Sequence, residues 1–230
     1  MANIALIIAG GVGSRTQQSI PKQFISVADK PIVLYTLEKF QTNPEIDKIA
    51  LICLKGWESY ILAYAKQFNI SKLEYIVPGG ESGFESISNG LTELKKHCCD
   101  DDVILIHDGT RPGITHKMIN ECIETIKTKG NVVTYIPTTE VVFDIENKQP
   151  TLLNRDNILR TQTPQGATFK ETFDIFQTAK EKGLTDSIAF CSLLSKLGKE
   201  INFIRGNEKN FKITFKEDID LFKGLISIGE

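Results

Sequence analysis

Short apolar runs of strand length alternate with amphipathic stretches along most of this chain. The strand-like runs are Asn3 to Ala9, Lys48 to Leu54, Leu73 to Val77, Val103 to His107, Asn131 to Ile136 and Glu200 to Ile204. Helical spacing marks Pro31 to Gln41, Gly56 to Phe68, Phe84 to His97, Thr115 to Lys129, Lys170 to Lys182, Asp186 to Leu197 and Lys216 to Ile226. This βαβα rhythm predicts an α/β fold: a mostly parallel sheet covered by helices on both faces.

The rhythm breaks between about Thr138 and Gln165. Val141 to Ile145 and Thr151 to Arg155 read as two strands around the polar turn Glu146 to Pro150, which predicts a β-arm at about 138–160. A two-stranded ribbon is marginal alone, so the arm is expected to pack on a second copy of the chain. No repeat, low-complexity tract or linker interrupts the rest, and residues 1–230 are expected to form a single domain carrying that arm.

In an open α/β sheet, ligands gather where strands end, and the chemistry-bearing residues of this chain stand there. The first run ends in Ala9-Gly10-Gly11-Val12-Gly13-Ser14-Arg15, with Lys22 following in Pro21-Lys22-Gln23. Glycines let backbone amides approach an anion closely, and Arg15 and Lys22 add charge. Thr16 stands where a dinucleotide fingerprint has its third glycine, and no Gly-Lys-Ser/Thr ending follows, so neither common nucleotide motif fits. Pro78-Gly79-Gly80-Glu81-Ser82 follows the third run and His107-Asp108-Gly109-Thr110-Arg111-Pro112 the fourth.

Composition narrows the partners. Lys+Arg 27 against Asp+Glu 29 leaves a formal charge of -2, which argues against a broad nucleic-acid footprint and makes any anion site local. No leader-like segment opens the chain and no apolar run is long enough to span a bilayer, so a cytoplasmic location without a membrane role is expected. The five cysteines show no Cys-x-x-Cys spacing; Cys53, Cys122 and Cys191 read as small buried apolar residues.

Asp108 closes an apolar strand beside the glycine loop, where a carboxylate can hold Mg²⁺ together with phosphate oxygens; an Asp in a turn has the same appearance. Asp100, Asp101 and Asp102 read as a solvated turn, His107 as a structural histidine, His97 and His116 as surface residues, and Trp57 as packing on a helix. Lys212, in the strand-like Asn210-Phe211-Lys212-Ile213-Thr214, is a candidate anion clamp, although taken by itself it reads as a surface lysine.

In this order these pieces resemble the family of cytidylyltransferases acting on ribitol 5-phosphate and 2-C-methyl-D-erythritol 4-phosphate. The likeness runs from Ile4 to Leu225. It rests on Ala9-Gly10-Gly11-x-Gly13-x-Arg15 with Pro21-Lys22-Gln23-Phe24, His107-Asp108-x-x-Arg111-Pro112, Gln162-Thr163-Pro164-Gln165, Thr185-Asp186 and Asn210-x-Lys212-Ile213-Thr214. The resemblance implies a three-layer, Rossmann-like nucleotidyltransferase fold, dimerisation through the arm, and CMP transfer from CTP to a sugar-alcohol phosphate with Mg²⁺. It implies that Arg15 and Lys22 bind the triphosphate, with Lys22 on the α-phosphate, and that Asp108 ligates the metal. Ala9, Gly10, Gly11 and Gly13 would surround the nucleotide, and Gly79, Gly80, Glu81 and Ser86 would border ribose and base. Lys212 and Arg111 would face the acceptor phosphate, and Arg155 would reach the neighbouring subunit's acceptor.

Two departures bear on the acceptor: Gly83 where the family commonly has arginine, and Glu140-Val141 where it commonly has Asp-Thr. The wording of Gly10 to Arg15 and Lys30 to Phe40 leans towards the ribitol branch over the methylerythritol branch. Two readings of other classes stand beside it: a nicotinamide-dependent oxidoreductase, suggested by Gly11-x-Gly13, and a non-catalytic nucleotide-binding module, which the departures permit.

Overall fold

The computed structural model describes residues 1–11, 20–146, 148–186 and 189–229. Eleven strands are assigned among them: β1 Asn3–Ala9, β2 Ser26–Val27, β3 Lys30–Pro31, β4 Lys48–Cys53, β5 Leu73–Pro78, β6 Val103–Asp108, β7 Asn131–Pro137, β8 Val142–Asp144, β9 Thr151–Leu153, β10 Leu159–Thr168 and β11 Phe203–Arg205. The helices are α1 Ile32–Gln41, α2 Glu58–Gln67, α3 Gly83–Leu94, α4 His116–Lys129, α5 Phe169–Glu181, α6 Phe190–Lys196 and α7 Lys216–Ser227.

Seven strands form one sheet in the order β11-β7-β10-β6-β1-β4-β5. β1 pairs in parallel with β4 and β6, β4 with β5, and β11 with β7. Successive residues of a strand point to opposite faces, and here both faces are covered. Ala5, Ile7, Leu51 and Leu105 join the core that includes α1 and α4, whereas Ile4, Leu6, Ile52 and Ile104 join the core that includes α3, α5 and α6. That division makes three layers, as expected. α7 closes a smaller cluster in which Ile219 and Phe222 pack on Val27, Ile32 and Ile213.

The structure departs from the sequence reading in the middle of the sheet. β10, which no apolar run announces, enters antiparallel between β6 and β7. Its register shifts between Gln162 and Gln165, so that Pro164, which has no N–H to give a ladder, sits in the irregularity. Gly166 permits a close approach: a Cβ there would stand 1.9 Å from the Ile104 carbonyl oxygen. The arm is the ribbon of β8 and β9, pairing Val142 with Leu153 and Asp144 with Thr151, and β10 leads back from it.

Smaller corrections have local causes. Asp102 is buried: its carboxylate accepts from the backbone N–H of Ala2 and of Cys99, so it ties the start of β1 to the turn before β6 and is no solvated charge. α6 begins at Phe190, β11 covers only Phe203–Arg205, and Cys191 is half-buried where Cys53 and Cys122 are fully buried. The segment around Lys212 belongs to no strand, and Trp57 precedes α2. No described helix is long and apolar enough to cross a membrane.

Candidate active site

A crevice of about 680 Å³ opens where β1, β4, β5 and β6 end at their carboxyl edge. Sites for small ligands have volumes of this order. Ala9, Gly10, Gly11, Lys22, Gly79, Gly80, Glu81, Ser86, Asp108, Arg111 and Lys212 all line it, so the structure brings together nearly every site residue expected from sequence. Arg155 is exposed on a short 3-10 turn and does not line this crevice; one of its terminal nitrogens donates to the Thr139 carbonyl oxygen at 2.9 Å. Gly13 and Arg15 lie outside the described residues.

The two glycine loops form the wall on the β5 side. A Cβ on Gly79 would meet Gly10 Cα at 3.2 Å and the Cys53 carbonyl oxygen at 3.4 Å, so a side chain there would push these two backbones apart by a few tenths of an ångström. Ser86, buried near the start of α3, accepts the Gly80 N–H at 3.0 Å and donates over a long 3.5 Å to the Gly80 carbonyl oxygen, which fixes its hydroxyl in the crevice wall. The Ser82 hydroxyl caps α3 by accepting from Glu85 N.

On the β6 side, Asp108 holds two cations. Its Oδ1 accepts from Lys212 Nζ and its Oδ2 from Arg111 Nε, both at 2.8 Å. Burial pushes the Asp108 carboxyl up, but Lys212 and then Arg111 outweigh it and hold the group well below the usual carboxylate range. Arg111 also donates to the Asn210 carbonyl oxygen at 2.9 Å. Lys22 reaches the same place from the opposite loop, with Nζ 2.7 Å from the Ile213 carbonyl oxygen.

His107 fixes the geometry behind Asp108. Its Nε2 faces the Arg111 carbonyl oxygen at 3.1 Å, an acceptor, so that nitrogen carries the proton in the neutral ring. Nδ1 therefore accepts from Thr163 Oγ1 at 3.0 Å, and Thr163 Oγ1 accepts from Asp108 N at 3.1 Å. Complete burial is the main cause that lowers the His107 pKa to about 4, against the Arg111 hydrogen bond and the Asp108 charge. His107 is thus a structural histidine, as its sequence position suggested.

Sequence reasoning gave no role to the amides that support the site. Gln23, buried beside Lys22, donates from Nε2 to both the Ala9 and Gly11 carbonyl oxygens at 2.7 Å, gathering the glycine loop. Gln162 donates to the Asn207 carbonyl oxygen at 2.9 Å, and Asn210 Nδ2 donates to the Thr163 carbonyl oxygen at 2.8 Å; together they hold the Lys212 segment against β10. The motifs Pro21-Lys22-Gln23-Phe24 and Gln162-Thr163-Pro164-Gln165 were the available signal.

Among the described residues no group of three or more His, Cys, Asp or Glu is placed to hold a metal ion by itself. Asp108 and Glu81 are the carboxylates lining the crevice. Mg²⁺ accepts one or two carboxylates with phosphate oxygens and water, and a carboxylate oxygen has two lone-pair sites. Asp108 therefore fits the protein side of a joint metal and nucleotide site, even with Lys212 beside it.

A family model described as 2-C-methyl-D-erythritol 4-phosphate cytidylyltransferase matches residues 3–226. A ribitol-5-phosphate cytidylyltransferase of Vibrio parahaemolyticus serotype O3:K6 is 38% identical over 231 residues, spanning 99% of this chain and 97% of that protein. A 2-C-methyl-D-erythritol 4-phosphate cytidylyltransferase of Clostridium botulinum (strain 657 / Type Ba4) is 33% identical over 223 residues, spanning 95% of each. The solved Francisella tularensis 2-C-methyl-D-erythritol 4-phosphate cytidylyltransferase superimposes with a TM-score of 0.78 at 27% identity, over 97% of this chain and 99% of that one.

Proposed function

Because the chain belongs to the 2-C-methyl-D-erythritol 4-phosphate cytidylyltransferase family, we propose that it transfers CMP from CTP to D-ribitol 5-phosphate, yielding CDP-ribitol and pyrophosphate in the cytoplasm. The observation that carries this reading is one crevice in which Lys212 and Arg111 hold Asp108 at the end of β6 while Lys22, tied to the Ile213 carbonyl oxygen, and two glycine loops line the same space. An in-line transfer between two phosphates needs fixed positive charge on both sides of the α-phosphorus. It needs no base, because the attacking phosphate oxygen is already ionised.

In this reading Ala9, Gly10, Gly11, Gly79, Gly80 and Glu81 surround cytosine and ribose, with Gly13 in the first glycine loop and Ser86 in the crevice wall. Lys22 and Arg15 bind the triphosphate. Lys212 and Arg111 draw the acceptor phosphate to the opposite side. The acceptor oxygen attacks the α-phosphorus, a new P–O bond forms, and the bond to the bridging oxygen breaks with its electron pair leaving on pyrophosphate. Lys22 stabilises the charge that builds on the α-phosphate oxygens, from a position set before reaction. Asp108 would hold Mg²⁺, whose charge when bound neutralises the phosphate oxygens. Arg155 serves the acceptor of a second subunit through the arm, so the working form is a homodimer.

The acceptor rests on the 38% identity with the Vibrio parahaemolyticus relative over 99% of this chain. The Clostridium botulinum relative at 33% supports 2-C-methyl-D-erythritol 4-phosphate as the second reading. CTP and Mg²⁺ incubated with ribitol 5-phosphate, methylerythritol 4-phosphate, glycerol 3-phosphate and pentose phosphates, scored by pyrophosphate release, decides between them. Ribitol 5-phosphate is expected to give the highest kcat/KM, and a preference for methylerythritol 4-phosphate would reverse the assignment.

A further inference from the structure

Trp57, the single tryptophan of the chain, stacks on Phe24 with ring centroids 4.4 Å apart and planes 5° from parallel. Phe24 ends the three-residue turn Lys22–Phe24, and it is 1% exposed. Tyr60 meets both rings edge-on, at 5.6 Å from Phe24 and 5.2 Å from Trp57. Trp57 is itself fixed to the sheet, since its N–H donates to the Leu54 carbonyl oxygen just past β4 and its own carbonyl accepts from Ile61 N in α2. β4 lies next to β1, which carries the first glycine loop.

Lys22 is held at its tip by the Ile213 carbonyl oxygen, and its root is held by the two residues that follow it in the turn. Gln23 is pinned to the Ala9 and Gly11 carbonyl oxygens, and Phe24 is pinned to Trp57; between them they set where Lys22 stands over the crevice. Lys22 is a flexible chain, and a flexible cation stabilises developing charge only if its root is held. We propose that Trp57 is a positioning residue for Lys22, acting through the face of Phe24. The inference rests on the proposed reading of Lys22 as the cation at the α-phosphate. Trp57 itself need not touch the nucleotide.

The test separates position from reaction. In wild type, Trp57→Ala and Trp57→Phe, the acylation rate of each lysine by an amine-reactive acetyl ester is read by peptide mass, with Lys212 and Lys170 as internal references. Trp57→Ala is expected to speed labelling of Lys22 alone by about three- to tenfold, the factor that one aromatic stack supplies to an equilibrium, and Trp57→Phe to keep it near wild type. Equal acceleration at all three lysines, or no change at Lys22 in a folded Trp57→Ala protein, would overturn the proposal. Turnover measured on the same samples should fall about tenfold or more in Trp57→Ala, chiefly in kcat, and recover in Trp57→Phe. Absence of any turnover in wild type counts against the proposed reaction and leaves the labelling result to decide the positioning.

Discussion

Lys22 Nζ donates to the Ile213 carbonyl oxygen across 2.7 Å, joining two segments 191 positions apart in sequence. Ile213 is fully buried under α7, and its own N–H donates to the Thr110 carbonyl oxygen. A cation held by a rigid main-chain acceptor is preorganised for the charge that develops beside it. Lys22→Ala should therefore lower the rate of pyrophosphate release by on the order of 10²-fold, the usual cost of losing one preorganised stabiliser. Near-normal release in that variant would remove Lys22 from the α-phosphate.

Asp108 is the hinge of the opposite wall, because its two oxygens are shared between Lys212 and Arg111. Asp108→Asn keeps the shape and removes the charge that both cations and the metal would meet. The expected result is a rate loss on the order of 10²-fold with a higher Mg²⁺ concentration needed for half-maximal rate. An unchanged Mg²⁺ dependence would show that the metal is held without this carboxylate. Because the Asp108 carboxyl is held well below its usual range, no limb of a pH and rate profile above pH 5 should belong to it.

His107 gives the fold an acid-sensitive point. Its pKa falls from 6.5 to about 4 on burial, with Asp108, Arg111 and Lys212 the charges that act on it. Between those values the unfolded chain binds the proton and the folded one does not, so stability is full above about pH 6.5 and is lost as pH falls towards 4. The whole span corresponds to about 3 kcal/mol. Urea unfolding of wild type between pH 7 and pH 4.5 should show this fall. His107→Gln should be less stable at pH 7 and show a flatter slope. The depressed Asp108 carboxyl contributes stability that is lost below its unfolded pKa of about 3.8, outside this window.

Where apolar periodicity existed, the fold was legible. Ile4 to Ile8 and Val103 to Ile106 are apolar at every position and short, which reads as strands covered on both faces, and the residues just beyond them are where the site lies. β10 was illegible for the complementary reason: Leu159 to Thr168 carries Arg, Gln, Thr, Pro and Gly, and it is seated by its antiparallel ladders to β6 and β7, while Gln162 and Gln165 tie other segments to it, Gln165 Oε1 accepting from Cys191 N at 2.9 Å. Lys212 looked strand-borne because Phe211 and Ile213 flank it, yet those side chains pack under α7 and Asp218 binds the N–H groups of Thr214 and Phe215 instead of a ladder. Residue types around the crevice could be named in advance. The pairing of Asp108 with both Lys212 and Arg111 could not, since it depends on β10 and the 207–210 turn arriving together.

The arm leads to a prediction about subunits. Val141, Phe143, Ile145 and Leu152 are 68%, 53%, 77% and 63% exposed, and β8 and β9 pair with each other and with no other described strand. An apolar ribbon left so bare needs a covering surface, and Arg155, which does not line its own crevice, stands at the end of it. If Arg155 serves the neighbouring site, Lys22→Ala and Arg155→Ala subunits mixed in equal amounts should recover activity that neither homodimer has. Half of the random dimers are mixed, and each mixed dimer has one site with both intact residues and one with neither, which gives about a quarter of wild-type activity. If Arg155 serves its own subunit, every site in the mixture lacks one residue and no recovery occurs. Measured on the unfractionated mixture after refolding together, with mixed dimers verified by tag, the presence or absence of that quarter decides whether the site is built from one chain or two.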